Sequence, residues 1–373
     1  MSAVLHQEPP QSATERAVQR VMVVAPGHRY STRDVYDTIV AGLRAQPDVE
    51  VLAFPYHEYI EALLPLEYHW MNDLGMSAED AEQQTLLRAS DAAFPRFLAF
   101  RPNLVIVVTG TTFPMPASAL MSQWTHTAIV LTESPYQREV EEQLSVAFHD
   151  VFTNERTCVP RFIAHRRAMD HAEPERVHYL PHMYNPAVHR ARQSQSGYES
   201  DVCFIGSPFP ERLALFDGVD WSGIRLLTRG LKADPSNPDT TAADFVDNTT
   251  AHDIYASAKI VINHHRTIRY YGHEEHITSG EAESLNPRTY ELAAAGVFQV
   301  CDDSGPELDE VFGSSIPTYR QGDSQDLERV LRYWLARPEE RRYLAAEAQR
   351  RAIGHDCATR ARFILDRCND RSP

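Results

Sequence analysis

Short apolar runs alternate with helix-length segments along most of this 373-residue chain, and the alternation occurs twice. In the first half the runs are Arg20–Pro26, Val49–Phe54, Leu104–Val108, Thr127–Leu131, Asp150–Thr153 and Val177–Leu180. Most are continuously apolar, so they read as strands buried on both faces, and the stretches between them are long enough for helical crossovers. The pattern predicts an α/β fold on a parallel sheet, with any ligand site beyond the carboxyl ends of the strands. The loops to follow are therefore Gly27–Tyr30, Gly110–Thr112, Glu133–Tyr136 and Asn154–Arg156.

Local signals set the helices. Ser31 stands three residues before Asp34 in a cap-like arrangement that opens a helix reaching about Ala45. Tyr56 to Phe100 is helical in pattern, with a fresh start at Ser77-Ala-Glu-Asp80 and a break expected at Pro95. From Pro181 to Ser200 the chain turns polar and irregular. A second alternation then runs through Asp201–Gly206, Ile224–Leu227, Lys259–Ile262, Val297–Cys301 and Ile316–Tyr319. Gly230–Asn248 reads as a loop, and Ser324–Ala336 and Pro338–Cys368 as helices. The expected division is a polar tail over 1–19, a first domain over 20–183, a linker over 184–200, a second domain over 201–345 and a terminal helix over 346–373.

Composition narrows the class. A formal net charge of -16 argues against a protein that coats itself with nucleic acid or anionic membrane, although it permits a local basic groove. Five cysteines without a Cys-x-x-Cys point to a reduced, cytoplasmic setting. No run approaches the ~20 apolar residues of a membrane span, and the N-terminus lacks the apolar core of a secretory signal.

The stretch Glu283-Ser-Leu-Asn-Pro-Arg-Thr-Tyr-Glu291 through Val300 carries the chemistry. Asn286 is a good N-cap, Pro287 suits the first helical position, and Gly296 sits where the chain must leave the helix left-handed before a buried strand. A helix start offers unpaired N–H groups and a positive dipole, and Arg288 adds a full charge, so this is a seat for a phosphate. Glu291 leans back toward that seat from one turn further on, and Glu283 approaches from the preceding loop. Donors for a diphosphate beside acceptors for hydroxyls suit a nucleotide sugar.

Two glutamates eight positions apart on a loop–helix–strand unit resemble the donor-site signature of retaining GT-B glycosyltransferases, and Asn-x-Arg within it is similar to the CgeB-like, spore-maturation-type branch. The resemblance spans most of the chain. It implies a GT-B architecture, with two Rossmann-like domains facing across a cleft and C-terminal helices that commonly return to the first domain. It further implies that Glu283 holds donor-sugar hydroxyls, that Glu291 accepts from the nucleotide ribose, and that Arg288 faces the diphosphate.

Other positions complete the expected site. Gly206-Ser-Pro-Phe-Pro-Glu-Arg212 gives a turn where backbone approaches phosphate and an Arg that neutralises it. No Lys follows Arg212 closely, which leaves Arg229, Arg266 and Arg288 as sources of a second cation. Asn263 and His265 end a strand as in the family's Asn-x-His, and read as donor contacts or as a structural pair. On the acceptor side stand Gly110, Thr111 and Glu133, the last placed to orient or deprotonate a hydroxyl, together with His28, Arg29 and His126. His264, His265, His273 and His276 with Glu274 and Glu275 invite a metal, but no Cys accompanies them and Asp302-Asp303 is not an Asp-x-Asp; no metal and no tightly bound cofactor are expected.

These observations lead to a nucleotide-sugar-dependent glycosyltransferase, retaining and metal-independent, with a UDP-sugar donor and a hydroxyl acceptor on a protein, envelope glycan or small molecule. A DNA glycosyltransferase of phage type, acting on 5-hydroxymethyl pyrimidines, is the alternative acceptor class, and Arg156, Arg161, Arg166 and Arg167 are the local basic cluster it would use. A sugar-nucleotide epimerase or hydrolase, or a non-catalytic binding protein, would share the architecture.

Overall fold

The computed structural model describes residues 18–27, 32–231, 246–267, 282–303 and 305–370. Six strands form a first sheet: β1 (Gln19–Val24), β2 (Val49–Phe54), β3 (Leu104–Val108), β4 (His126–Leu131), β5 (Asp150–Thr153) and β6 (Val177–Tyr179). Their order is β2-β1-β3-β4-β5-β6, every pair parallel. A second parallel sheet holds β7 (Ser200–Ile205), β8 (Leu226–Arg229), β9 (Ala258–Asn263), β10 (Gln299–Asp302) and β11 (Thr318–Tyr319), in the order β11-β10-β9-β7-β8. Each expected strand is present within two residues of its predicted limits. In each sheet the chain reverses its direction of travel once, between β1 and β3 and between β7 and β9. Such switch points open a crevice at the carboxyl edge.

Among the described residues no helix is long and apolar enough to cross a membrane. Continuous burial of Val21–Val24 and Leu104–Val108 explains why these strands read as unbroken apolar runs. The first core is not complete without the far end of the chain. Cys357, Ala361, Ile364, Leu365 and Cys368, from the helix Cys357–Asn369, are buried within it, and each such burial contributes roughly 1–3 kcal/mol for the larger side chains. This helix lies so close to Thr32–Arg44 that a Cβ on Gly42 would meet the carbonyl of Cys357. The return crosses beside the linker: Tyr184 N donates to His355 O at 3.2 Å, and Cys357 N to Tyr184 O at 2.9 Å. Both interdomain passages therefore share one place.

Two expectations about helices are corrected. Pro338–Cys368 is two helices, Pro338–Ala352 and Cys357–Asn369, because Gly354 adopts φ +89° and Asp356 caps a new start by accepting from Thr359 N at 3.0 Å. The break expected at Pro95 falls at Ala92, and Pro95 sits in the first turn of Ala93–Phe100, where its missing N–H costs nothing. Ser77 and Asp80 do form the reciprocal capping box. Ser31 and most of Gly230–Asn248 lie outside the described residues.

His126, expected on the acceptor side, is also corrected. It opens β4 and so lies at the amino edge of the sheet, opposite the crevice. There it joins Asp150, a fully buried carboxylate that accepts from His126 Nε2 at 2.6 Å, Arg176 at 2.7 Å and His178 Nε2 at 2.9 Å. Arg176 also donates to the carbonyls of Arg367 (3.0 Å) and Asp370 (2.7 Å), so this carboxylate anchors the returning helix. Burial alone would raise the Asp150 pKa, but His126, His178 and Arg176 outweigh it and hold the carboxyl well below its ordinary value. Its contribution is thus complete above the unfolded pKa of about 4 and lost as pH falls toward the lower folded value. Asp150→Asn should cost about 3–5 kcal/mol in urea unfolding at pH 7. The gap to wild type should narrow as pH falls below about 4; an unchanged gap would refute the anchoring role.

Candidate active site

The start of the Pro287–Ala294 helix is held from both domains. Asn286 Oδ1 accepts from Thr289 N at 3.0 Å, the expected cap, and Gly296 leaves the helix at φ +69°. The loop before it is fixed amide by amide. Glu283 N and Ser284 N both donate to Glu155 Oε2 at 3.1 Å, Leu285 N to Glu307 Oε2 at 2.6 Å, and Asn286 N to His265 Nε2 at 3.2 Å. Glu155 follows β5 of the first domain, and its other oxygen accepts from Thr157 N at 3.0 Å. Burial raises the Glu155 pKa while the amides it binds lower it. Alongside, Arg156 N donates to Ser284 Oγ at 3.2 Å, Arg156 pairs with Glu310 at 2.9 Å, and Tyr179 OH donates to Glu307 at 2.6 Å.

This arrangement turns Asn263 and His265 inward. Asn263 is fully buried: its Nδ2 donates to Thr289 Oγ1 (2.8 Å) and Gln299 Oε1 (3.1 Å), and its Oδ1 accepts from Asn286 Nδ2 (2.8 Å). His265 accepts on Nε2, so the neutral ring carries its proton on Nδ1, which faces Asp302 Oδ1 at 3.1 Å. Both residues hold Asn286, the cap of the helix.

The switch point of the second sheet gathers cations. Arg212, after the Gly206 turn, donates to Ser207 O at 3.2 Å and His264 O at 3.0 Å and packs on the rings of Phe204 and Phe209. Arg266, just past β9, shares Phe209 and lies 3.8 Å from the Tyr136 ring centroid, while Tyr136 OH donates to Arg266 O at 2.8 Å. Of the three arginines considered as a second cation, Arg266 is the one that shares the Phe209 ring with Arg212. Arg212 Nε and Arg266 Nε and Nη2 make no hydrogen bond among the described residues. Burial, then Arg288 nearby, pulls the Arg212 pKa down to about 10. Such crowding of buried cations is relieved by an anion.

Carboxylates flank this cluster. Glu133, at the carboxyl end of β4, faces Arg266 Nη2 at 3.6 Å; burial raises its pKa and Arg266 opposes the rise. Its loop is set by Glu141, which accepts from Glu133 N at 2.9 Å and from Ser134 Oγ, and which burial pushes up to about 8. Glu291 lies one turn past Arg288 with its side chain 16% exposed. Burial raises its pKa to about 8, Asp34 of the first domain adding to the rise and Arg288 opposing it. Asp34 itself is raised to about 7, chiefly by burial, and accepts from Asn248 of the second domain. Gly110 (φ +76°) and Thr111 follow β3 at the same crevice, beside Thr109 at φ +63°, which is uncommon for a β-branched residue.

Other expected positions fall elsewhere. His28, Arg29, His273, Glu274, Glu275 and His276 lie outside the described residues. The basic cluster does not form a path: Arg166 is fully buried and bonds the carbonyls of Phe148, His149 and Glu173, while Arg156 and Arg167 pair with Glu310 and Glu175. Glu155, Glu307, Glu141 and Asp34 carry site geometry that went unread. For Glu155 the signal was present, since Asn154–Arg156 is a loop at a carboxyl strand end; Glu307 had none. Glu155→Ala should strand two amides at a cost of about 1–3 kcal/mol to the closed arrangement. Small-angle scattering should then give a larger radius of gyration with unchanged secondary structure by circular dichroism; an unchanged radius would show that the clasp is dispensable.

Residues 189–366 match the "Glycosyl transferase-like" family model. Spore protein CgeB of Bacillus subtilis (strain 168) is 24% identical over 284 residues, covering 73% of this chain and 81% of that protein. Among solved structures, sucrose-phosphate synthase from Thermosynechococcus elongatus superposes with a TM-score of 0.59 at 11% identity, covering 93% of this chain and 98% of that one. Anabaena HepE in complex with UDP and glucose gives 0.58 at 12%, covering 95% and 100%. Sequence and fold together make the chain similar to CgeB and to glycosyltransferase-like proteins, on a two-domain α/β GT-B architecture.

Proposed function

We propose that the protein transfers a sugar from a nucleotide diphosphate donor, with retention of configuration and without a metal, to an acceptor hydroxyl. The observation that carries this reading is the convergence of Arg212, Arg266 and the Arg288 helix start at one sheet edge, with guanidinium N–H groups left unbonded by the described residues. Charge that develops on a departing diphosphate meets preoriented donors there, and such preorganisation is the largest single contribution to many enzymatic rates. The diphosphate lies at the helix start, the ribose toward Glu291, and the sugar between Glu283 and Glu133. UDP in the HepE complex supports a uridine donor.

Glu133 orients the acceptor hydroxyl and takes its proton. Burial raises its pKa, as suits a group that takes a proton, and Arg266 opposes the rise. The acceptor enters past the helices of Tyr56–Asp91, where Glu58, Glu61, Asp73, Glu79, Glu82 and Asp91 are exposed while Arg88 is paired with the buried Glu67. That surface favours a neutral or basic acceptor over a polyanion such as DNA. A screen of donors and acceptors by mass spectrometry, including DNA with 5-hydroxymethyl pyrimidines, tests this choice.

Arg288→Ala and Glu291→Ala should each lower turnover at least about 100-fold while their melting curves stay near that of wild type. Near-normal turnover in both would sink the assignment. Activity should also survive EDTA treatment and desalting; its loss, with recovery on Mn²⁺ or Zn²⁺, would overturn the metal-free part.

A further inference from the structure

The segment joining the two domains holds a side chain that the roles above leave unused. Asn185-Pro186 opens a tight turn in which Asn185 Oδ1 accepts from Ala187 N at 3.0 Å and His189 N donates to Asn185 O at 2.7 Å. The turn folds the His189 ring back on its own start, so that Asn185 N donates to His189 Nδ1 at 2.9 Å. A backbone amide can only donate. The neutral ring therefore accepts on Nδ1 and carries its proton on Nε2. Burial, with His252 and Arg192 adding to it, pulls the ring's pKa down to about 3 and keeps it neutral.

His189 is only 5% exposed, and its Nε2 faces Glu291 Oε1 across 3.9 Å. That gap is too long for a hydrogen bond, and an oxygen set beside the line between the two atoms would lie about 2.8 Å from each. The His252 ring, 4.7 Å away centre to centre, closes the side. A group that fits must accept from an imidazole N–H and donate to a carboxyl oxygen, which a hydroxyl does. His189, His252 and Glu291 also lie close enough together to suggest a cation. However, a metal needs the Nε2 lone pair, and a neutral ring already accepting an amide on Nδ1 has its proton there.

We propose that His189 is a specificity-determining residue for the nucleotide: it donates Nε2–H to a ribose hydroxyl that donates in turn to Glu291, so the site selects a ribonucleoside diphosphate over its deoxy counterpart. This rests on the donor reading above and extends it to the sugar of the nucleotide. The placement matches the order of groups in such a ligand, with the diphosphate at the Arg288 turn and the ribose one helical turn further on.

Calorimetric titration with UDP, ADP, GDP and CDP identifies the base, and the 2′-deoxy and 3′-deoxy forms of the best binder test the proposal. Wild type should bind at least one deoxy form about tenfold more weakly, the consequence of leaving a buried polar pair unmatched. His189→Phe keeps the bulk without a donor and should bind ribo and deoxy forms within about twofold of each other. His189→Gln, whose amide donates, should restore part of the preference. If His189→Phe melts early, His189→Ala serves the same comparison. Equal binding of all forms by wild type, or wild-type preference in the Phe and Ala variants, overturns the role of His189 and leaves the donor site standing. Failure of every nucleoside diphosphate to bind folded wild type removes the donor reading and this inference together.

Discussion

Four successive amides, from Glu283 to Asn286, are taken by three side chains, and the rest of the site depends on that clamp. A buried amide without a partner is costly, so a loop whose amides are all satisfied has little freedom to rearrange. Glu307 and His265 belong to the same domain as the loop, but Glu155 does not. The loop that positions Glu283 is therefore complete only when the first domain is docked. Loop geometry and the docking of the first domain are thus coupled at Glu155, with Arg156 and Tyr179 bonding the second domain alongside it.

The electrostatics of the site run against those of the chain. An acidic protein concentrates Arg212, Arg266 and Arg288 at one sheet edge, stacked on Phe204, Phe209, Tyr136 and Tyr255. The rings hold the guanidiniums by their faces and leave N–H edges available for an in-plane ligand. On the other flank Asp34 and Glu291 approach across the cleft, and burial discourages both from ionising. A ligand that brings negative charge to one flank and hydroxyls to the other relieves both strains.

Most of the fold was legible because it depends on near-neighbour patterning. Continuous apolar runs located the strands, and Asn286-Pro287 with Gly296 bounded the helix at both ends. The departures have local causes of comparable size. Gly354 and Asp356 end one helix and begin another where the pattern alone looked continuous. His126 has a site-like neighbourhood in sequence, but it opens its strand, and only the direction of the strand decides which edge a residue serves. Asn263 and His265 were legible as a motif, while their inward-facing bonds to Asn286 required the three-dimensional arrangement. Glu155 meets Ser284 across 129 positions, a pairing that no periodicity encodes.

The returning helix has a consequence for how the protein is made. Domains emerging from a ribosome ordinarily fold in order, the N-terminal one first. Here the first domain lacks part of its interior until residues 357–369 appear, since Ile364, Leu365 and Cys368 fill space beside its sheet. The second domain contains its own cores and emerges in between. Synthesis thus reverses the usual sequence: the domain translated first is the last to close its interior. It waits with an uncovered apolar face while its partner folds, which makes it the part of the chain with most need of a chaperone.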